Sequence, residues 1–547
     1  MAPQDATMYW LSKRTRNDLF LLNCFADSGR STEELRAAIA ERSERIADLR
    51  VRLRELPADI DYPSWTPCEF ATEQFIEHQL PEPSWTHLLD ALGNVLGTAV
   101  DAAARPWRLH VFRGIVDAPG AGNGAALVAV LQMSHALADG RRASAIARAL
   151  FSGSVVDEGV PSGDSRRSGS VVRGSNAGVD GGQAGDVSAI ASGGRGAPAK
   201  RRPAAGDHVA AVDGGATRST GGVNSGASTR SSNLFTRGRQ TGSALAGALG
   251  IRSAVSGRGR EISAGLLFDS ALGLLRLPVG LASTAVRGYQ AFQAQRQLAQ
   301  LTEAGQLPPP GPGFPPTLVN RSVAEGISRH DVRMLVFPAE DLRVPDRTVT
   351  VVVLTAVSVA LARYLANRGE PVQRLGAQVP MALPEPPTGD DTRPRNNYRS
   401  LGVDLFADEP DLRLRADKIA AELAERRLRA KHPLLSAQDR VTATVPAPLL
   451  RRDVDHYPLD AVPDSIAGHT VVSSVDRGPA DLVFGGGPVR FTAGFPALGS
   501  VMHLTHGVHG LGAAVTVSLH ADSAVVPDVD AYAGLLRVAM KEVTDAL

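Results

Sequence analysis

Short apolar runs alternate with amphipathic segments from the start of the chain to about residue 152. The mostly apolar runs at 19–25, 109–112 and 125–133 have the length of buried strands. Ser31 and Glu34 have the spacing of a capping box, which predicts a helix that begins just after Ser31. This first region is therefore predicted to mix strands and helices.

A second patterned region runs from residue 261 to the end of the chain. It begins with a long helical pattern over 262–301 and a proline cluster at 308–316. Strands and helices follow no strict β-α-β order and no repeat is visible, which predicts an α/β (α+β) fold with mixed sheets. The further elements predicted here are strands at 332–337, 375–379, 471–475 and 515–519, and helices at 349–365, 411–429 and 528–543.

Residues 154–260 separate these two regions and are rich in glycine, serine and arginine. Such a segment has too few large apolar side chains to offset the entropy lost on ordering, so it is predicted to be disordered. Four segments result: a first lobe at 1–153, the insertion at 154–260, a helical and proline-rich linker at 261–316, and a second lobe at 317–547.

Composition and charge narrow the function classes. The chain has 547 residues, of which 43% are hydrophobic, and its formal net charge of +1 gives no reason to expect a nucleic-acid partner. Its two cysteines form neither a disulfide framework nor a zinc pattern. The start lacks a secretory signal pattern, and the nearest candidate for a membrane span, 262–292, is interrupted by charges and a proline. We expect a cytoplasmic protein, with peripheral binding to the inner face of the membrane left open.

The stretch S-H-A-L-A-D-G, residues 134–140, ends the third predicted strand and leads into a helix. A histidine at a strand end suits general-base catalysis near neutral pH. Gly140 is expected to let the backbone turn where a side chain would clash. The structural alternatives are that His135 is a core histidine and that Asp139 caps the helix or holds an arginine.

Other chemistries find little support in the sequence. A metal centre would draw on His503, His506 and His509, but these lie among glycines on a predicted strand and turn, so no metal is expected. No G-x-S-x-G elbow supports a serine nucleophile, and no G-x-G-x-x-G or P-loop follows a predicted strand. General-base chemistry at His135 is the main catalytic hypothesis.

The stretch S-H-A-L-A-D-G at 134–140, together with several other stretches, resembles a known family. This is the bacterial wax ester synthase / acyl-CoA:diacylglycerol acyltransferase family of the chloramphenicol-acetyltransferase-like superfamily, whose motif at this place is H-H-x-x-x-D-G. The resemblance covers most of the chain except 154–260. The other similar stretches are STEELRAAIAERSERIADLRVRL, YPSWTPCEF, ARPWRLHVFRGI, TVTVVVLTAVSVALARYLANRGE, NNYRSLGVDLFADEPDLRLRADKIAAEL and LHADSAVVPDVDAYAGLL.

This resemblance implies two similar α/β lobes with a tunnel between them, which acyl-CoA enters from one side and an alcohol from the other. His135 matches the family's catalytic base and would take the proton of the acceptor hydroxyl. Asp139 would hold the loop, and Gly140 would keep the mouth of the tunnel open. Ser134 replaces the first histidine of the motif, a position whose role is mainly structural.

Two further family motifs are altered. The Asn-Asp pair that opens the second-lobe helix is Thr350-Val351 here, and a valine neither carries charge nor forms a hydrogen bond. In the S/T-N-V-P-G-P stretch, Ser473 is followed by Ser474 in place of asparagine, and a serine hydroxyl can still donate to an oxyanion. Asn397 is retained as a candidate donor, and the alternative is that it only stabilises a turn. The candidate oxyanion or tunnel donors are therefore Ser473, Ser474, Asn397 and Thr350.

These features predict an O-acyltransferase that forms triacylglycerol or wax ester from diacylglycerol or a long-chain alcohol, with acyl-CoA as co-substrate and no cofactor. The main alternative is a lipid- or acyl-CoA-binding relative with weak or no activity. The stretch 262–301, with Arg276, Arg287 and Arg296, would bind a membrane or lipid droplet or would pack between the lobes. A nucleic-acid or protein scaffold that acts through the arginine-rich insertion is a further alternative. Deletion of 154–260 would remove the partner of such a scaffold, whereas an acyltransferase would remain active.

Overall fold

The computed structural model describes residues 1–120, 124–152, 264–323, 329–384, 394–459 and 461–547, with side chains from residue 277 onward in the helix that begins at 264. The disorder predicted for 154–260 lies outside these residues. The first part of the chain contains α1 (Pro3–Ser12), β1 (Leu19–Ala26), α2 (Thr32–Glu44), β2 (Val51–Arg54), β3 (Ser64–Pro67), β4 (Phe75–His78), α3 (Trp85–Leu96), β5 (Trp107–Ile115), β6 (Ala126–Met133) and α4 (Gly140–Phe151).

Every strand and helix predicted from the pattern overlaps an observed element of the same type, and the α/β fold with mixed sheets is confirmed. The later part of the chain contains α5 (Ala264–Glu303), β7 (His330–Pro338), α6 (Val349–Ala366), β8 (Gly376–Ala382), β9 (Tyr398–Asp404), α7 (Leu412–Ala430), α8 (Ser436–Thr442), α9 (Ala447–Asp455), β10 (Thr470–Asp476), β11 (Val483–Phe484), β12 (Gly487–Phe495), β13 (Leu504–Leu511), β14 (Ala514–Asp522) and α10 (Val529–Ala546).

The first sheet has six strands in the order β11-β12-β1-β6-β5-β4. β6 lies between antiparallel β1 and β5 and all of its residues are buried, because a strand covered on both faces needs apolar side chains on both. β11 and β12 come from residues 483–495. Strands from the segment predicted as the second lobe, 317–547, thus complete the sheet of the first lobe.

The second sheet has six strands in the order β7-β14-β13-β10-β8-β9, in which β10 lies parallel to both β13 and β8. Its core contains most of α6. Within the described residues, α6 is the one helix long and apolar enough to cross a membrane by length and composition, and 72% of it is buried inside the protein. This burial is typical of a core helix.

The two sheets are joined by β12, which pairs with β1 and packs against β13 and β14. The approach is close: a Cβ atom built on Gly507 of β13 would lie 2.1 Å from the Gly494 carbonyl oxygen of β12. The same carbonyl accepts a hydrogen bond from the hydroxyl of Ser518 at 2.5 Å. Glycine at position 507 therefore permits the contact between the sheets.

Candidate active site

The loop that carries His135 joins the buried strand β6 to helix α4. Ser134 anchors this loop: its amide donates to the Pro106 carbonyl (2.8 Å), and its carbonyl accepts from the amide of Leu137 (2.9 Å). The Ser134 hydroxyl accepts from the Ala136 amide at 3.3 Å. A buried serine that makes these bonds shapes the turn that presents His135.

Asp139 is the N-cap of α4. Its carboxylate accepts hydrogen bonds from the backbone amides of Arg142 (2.9 Å) and Asn397 (3.1 Å), and its own amide donates to the Arg395 carbonyl (3.2 Å). These bonds confirm the predicted capping role. They also join the His135 loop to a segment from the later part of the chain.

Asp48, rather than Asp139, binds the neighbouring arginines. Arg142 donates to it from Nε (2.9 Å) and Nη2 (2.6 Å), and Arg395 donates from Nη1 (2.8 Å). The Arg395 guanidinium also lies over the ring of Trp65, 4.6 Å from its centroid. Charge-assisted bonds to one shared carboxylate therefore fix the start of α4 against the segment that contains Arg395.

Gly140 begins α4 and is exposed. A Cβ atom built on it would meet no heavy atom within 4 Å, and its φ lies outside the left-handed region. The expectation that this glycine permits a turn in which a side chain would clash is wrong, because the exposed first position of α4 has room for a side chain. Its role at the mouth of a tunnel stays a prediction.

His135 forms the central polar contact of the site, with its Nδ1 2.8 Å from Oδ1 of Asn396. The Asn396 side-chain nitrogen donates to the His135 carbonyl (2.7 Å) and to Oδ1 of Asp5 (3.0 Å). Because both of these partners are acceptors, the amide oxygen is the atom that faces the imidazole. Nδ1 therefore carries the proton, and Nε2 holds the lone pair that a general base needs.

Asp5 fixes Asn396 in this orientation. The Asp5 carboxylate also accepts from the backbone amides of Arg395 (2.9 Å) and Asn396 (2.9 Å). Burial raises the pKa of the Asp5 carboxyl above its ordinary value, and these donors oppose the rise. Because the Asp5 carboxylate only accepts hydrogen bonds, the side-chain nitrogen of Asn396, and not its oxygen, must face Asp5.

His135 is half-buried, and its ring centroid lies 6.1 Å from that of Tyr398. Burial lowers the pKa of His135 below its ordinary value, against the opposing effects of Asn396, Asp139 and Asp5. The imidazole is therefore neutral at pH 7, the state in which it can accept a proton.

Thr350 and Ser474, which stand at the two altered family motifs, contact each other: the Thr350 hydroxyl donates to Oγ of Ser474 at 2.9 Å. This bond leaves the hydroxyl hydrogen of Ser474 available to another acceptor. Ser473 lies on the opposite face of β10, aligned with Gly507 of β13. Within the described part of the chain, no hydrogen bond joins these residues to His135.

Asn397 makes turn contacts, since its side-chain nitrogen donates to the carbonyls of Leu383 (3.4 Å) and Pro384 (3.1 Å). Its neighbour Asn396 reaches His135. The sequence drew attention to the Asn-Asn pair, but only the register of the chain decides which asparagine enters the site. Asp5 was not predicted, because it contacts Asn396 across 391 positions of sequence.

The three spaced histidines do not converge on one point. His506 bonds to Thr470 (2.9 Å) and Tyr532 (2.8 Å), whereas His509 bonds to Arg477 (3.1 Å). No group of side chains suited to hold a metal ion occurs among the residues that the structure describes.

Comparisons with known proteins show which family and which solved structures the chain resembles. The model of the wax ester synthase/diacylglycerol acyltransferase catalytic domain matches residues 1–218. No curated protein matches the chain.

The solved wax ester synthase/diacylglycerol acyltransferase from Marinobacter aquaeolei VT8 is 15% identical, with a TM-score of 0.53 over 99% of this chain and 97% of that chain, which shows a shared fold. The starter condensation domain of rhizomide synthetase RzmA, solved with C8-CoA and Leu-SNAC, is 12% identical, with a TM-score of 0.46 over 100% of this chain and 93% of that one. The resemblance to the wax ester synthase/diacylglycerol acyltransferase family is thus confirmed, and the match to the family model covers residues 1–218.

Proposed function

We propose that this chain is an acyl-CoA-dependent O-acyltransferase that esterifies diacylglycerol or a long-chain alcohol, giving triacylglycerol or wax ester. The observation that carries the proposal is the bond between His135 Nδ1 and Asn396, which leaves Nε2 unprotonated. The activity named for the Marinobacter aquaeolei relative supports the choice of substrates. Acyl-CoA serves as co-substrate, and we propose no cofactor.

In the proposed reaction, Nε2 of His135 takes the proton of the acceptor hydroxyl while the oxygen attacks the thioester carbonyl carbon. The carbonyl oxygen becomes negatively charged in a tetrahedral intermediate. The C–S bond then breaks, the sulfur leaves with the bonding electron pair, and Nε2 returns the proton to it. The products are an ester and coenzyme A in its thiol form.

The oxyanion of the intermediate needs hydrogen-bond donors. Ser474 is the best candidate donor to the oxyanion, because it accepts a hydrogen bond from Thr350 and its own hydroxyl hydrogen remains available. Asn397 is a weaker candidate, since its side-chain nitrogen already donates to backbone carbonyls. Ser473 would serve only a substrate that passes along the other face of β10.

The test is release of thiol from a long-chain acyl-CoA by the full chain, with and without diacylglycerol or a fatty alcohol. We expect acceptor-dependent release that His135→Ala lowers by about two or more orders of magnitude, because the base is lost. Wild-type release no greater than that of His135→Ala would contradict the proposal. The protein would then be a lipid- or acyl-CoA-binding relative without turnover.

We further propose that the protein is cytoplasmic and binds a lipid surface through one side of α5. The opposite side of this helix packs on the protein through Ala291, Ala294 and Leu298. The outer side presents large apolar side chains that are each more than half exposed: Val279, Leu281, Val286, Tyr289 and Phe292.

Flotation with anionic vesicles tests this second proposal. The double change Val286→Ser and Tyr289→Ser removes apolar surface from α5, so we expect the bound fraction to fall several-fold. Val538→Ser, at an equally exposed apolar position on α10, is the matched control and should bind as the wild type does. Equal binding by all three proteins would exclude α5 as the lipid contact.

A further inference from the structure

A small cavity lies where β1, α4, β12 and the segment behind β10 meet. The side chains that line it include Asn23 of β1, Arg148 of α4, Thr492 of β12 and Arg477, which directly follows β10. The volume of the cavity is about 10 Å³, which leaves room for one occupant of about the size of a water molecule.

Arg477 is a buried cation, 9% exposed, without a charge partner in the described part of the chain. Its Nη2 donates to Nδ1 of His509 at 3.1 Å, whereas Nε and Nη1 are buried and form no hydrogen bond with any described residue. Burial lowers the pKa of Arg477 to about 10, so the guanidinium is still charged at pH 7. A buried charge without a counter-charge is strongly unfavourable.

The groups around Arg477 do not neutralise it. Burial and the neighbouring guanidinium hold the pKa of His509 well below its ordinary value, so this histidine is neutral. Arg148 adds a second positive charge, and the nearby carboxylate of Asp481 already pairs with it at 2.5 Å. Asn23 is 3% exposed, and its side-chain nitrogen is a further buried donor without a partner among the described residues.

We propose that this cavity binds one small monovalent anion of the halide class, held between Arg477 and Asn23. Unused donors and a net positive charge select an anion, and the single-occupant volume selects a monatomic one over a carboxylate or phosphate. The bound ion would join β1 to the segment behind β10. This inference does not depend on the proposed acyltransferase activity.

Bromide replaces chloride and scatters X-rays anomalously, so crystals of the full chain grown in bromide locate the ion directly. We expect an anomalous peak between Arg477 and Asn23. In solution, we expect the unfolding temperature to rise with chloride at constant ionic strength, with gluconate as the balancing anion, because an ion that binds only the folded state stabilises it.

Arg477→Met keeps most of the apolar stem and should abolish the chloride-specific rise, whereas Arg413→Met, at an exposed site on α7, should keep it. If Arg477→Met does not fold, Asn23→Ala takes its place, with a reduced chloride response expected. A water-filled cavity, shown by no bromide peak and no chloride-specific stabilisation, would overturn the proposal. A peak without a chloride response would mean binding at crystal concentration only and would overturn it as well.

Discussion

A histidine base must be neutral, must carry its proton on one known nitrogen, and must keep that proton in place. In this site an amide, Asn396, performs the orienting task that a carboxylate performs in many hydrolases, and Asp5 holds the amide from behind. An amide oxygen accepts the Nδ1 proton but carries no charge to stabilise an imidazolium. The arrangement therefore favours a neutral imidazole of lowered pKa, which is a weaker base but is almost fully available at pH 7.

Substitution of Asn396 tests this arrangement through the pH profile of kcat/KM. The wild type should lose activity only below pH 6.5, as His135 becomes protonated. Asn396→Asp places a negative charge beside Nδ1, which raises the pKa of His135 and moves the acidic limb to higher pH. Asn396→Leu removes the acceptor, so kcat should fall by about tenfold or more without that upward move.

Asn94→Leu, at an exposed position on α3, is the matched control and should leave the profile unchanged. A purely structural asparagine would behave differently: both changes at Asn396 would lower activity by a common factor at every pH, and the acidic limb would stay in place.

His135 and Asp139 could be singled out from the sequence because their positions at a strand end and a helix start are local features. A strand end, a capping aspartate and a following helix lie within a few residues of one another, and the structure has the cap as expected. Asn396 and Asp5 could not be predicted, because their contacts join residues that are far apart in the sequence. Asn396 contacts His135 across 261 positions of sequence, and no periodicity specifies which of two adjacent asparagines a distant loop will meet.

At the scale of elements, the unusual feature is β12, which leaves the second lobe and completes the first sheet. No strand was predicted over 487–495, where most residues of β12 are buried, so its pairing with the first sheet could not be predicted either. The packing depends instead on missing side chains: a Cβ atom on Gly494 would lie 2.3 Å from Cε1 of His509. Glycine lets two sheets approach until backbone and ring atoms touch.

Gly507→Ala should therefore destabilise the protein. The new methyl group would meet the Gly494 carbonyl oxygen at 2.1 Å and the Ser518 hydroxyl at 2.5 Å, so β12 must shift away from β13. We expect a loss of about 1–3 kcal/mol in the free energy of unfolding in urea. Gly534→Ala, at an exposed position of α10 with no atom within 4 Å of the new Cβ, should be neutral or stabilising by up to about 1 kcal/mol. Equal effects of the two changes would show that the sheets do not approach as closely as described.

At the scale of the whole molecule, the site belongs to neither half of the chain alone. His135 and Asp5 precede the insertion, Asn396 follows it, and the strand that closes the first sheet comes from residues 487–495. Folding of both halves is therefore a condition for an oriented His135 imidazole. A loss of stability of the whole fold should therefore disturb the orientation of His135, even when the cause lies far from the site.

Acid should cause such a loss, because many histidines are buried in neutral form. Burial lowers the pKa of His110 to about 4 and those of His506 and His520 to about 3. Between about pH 4 and 6.5 the unfolded chain binds protons that the folded chain does not, so the free energy of unfolding falls as pH falls, by up to about 1.4 kcal/mol per pH unit for each histidine. Asp18 acts in the opposite direction, since burial raises its pKa to about 6, and it offsets roughly one of the three.

We therefore expect the free energy of unfolding in urea to be clearly lower at pH 5 than at pH 7, with proton uptake on unfolding between these values. His506→Gln removes one buried titrating group, so the same measurement should give a shallower pH dependence, although its stability at pH 7 will also be lower because the bonds to Thr470 and Tyr532 change. His456→Gln, at an exposed position, should leave the slope as it is. A free energy of unfolding that stayed constant or rose from pH 7 to pH 5 would mean that these histidines are not held neutral by burial, and the same burial argument for a neutral His135 would lose its basis.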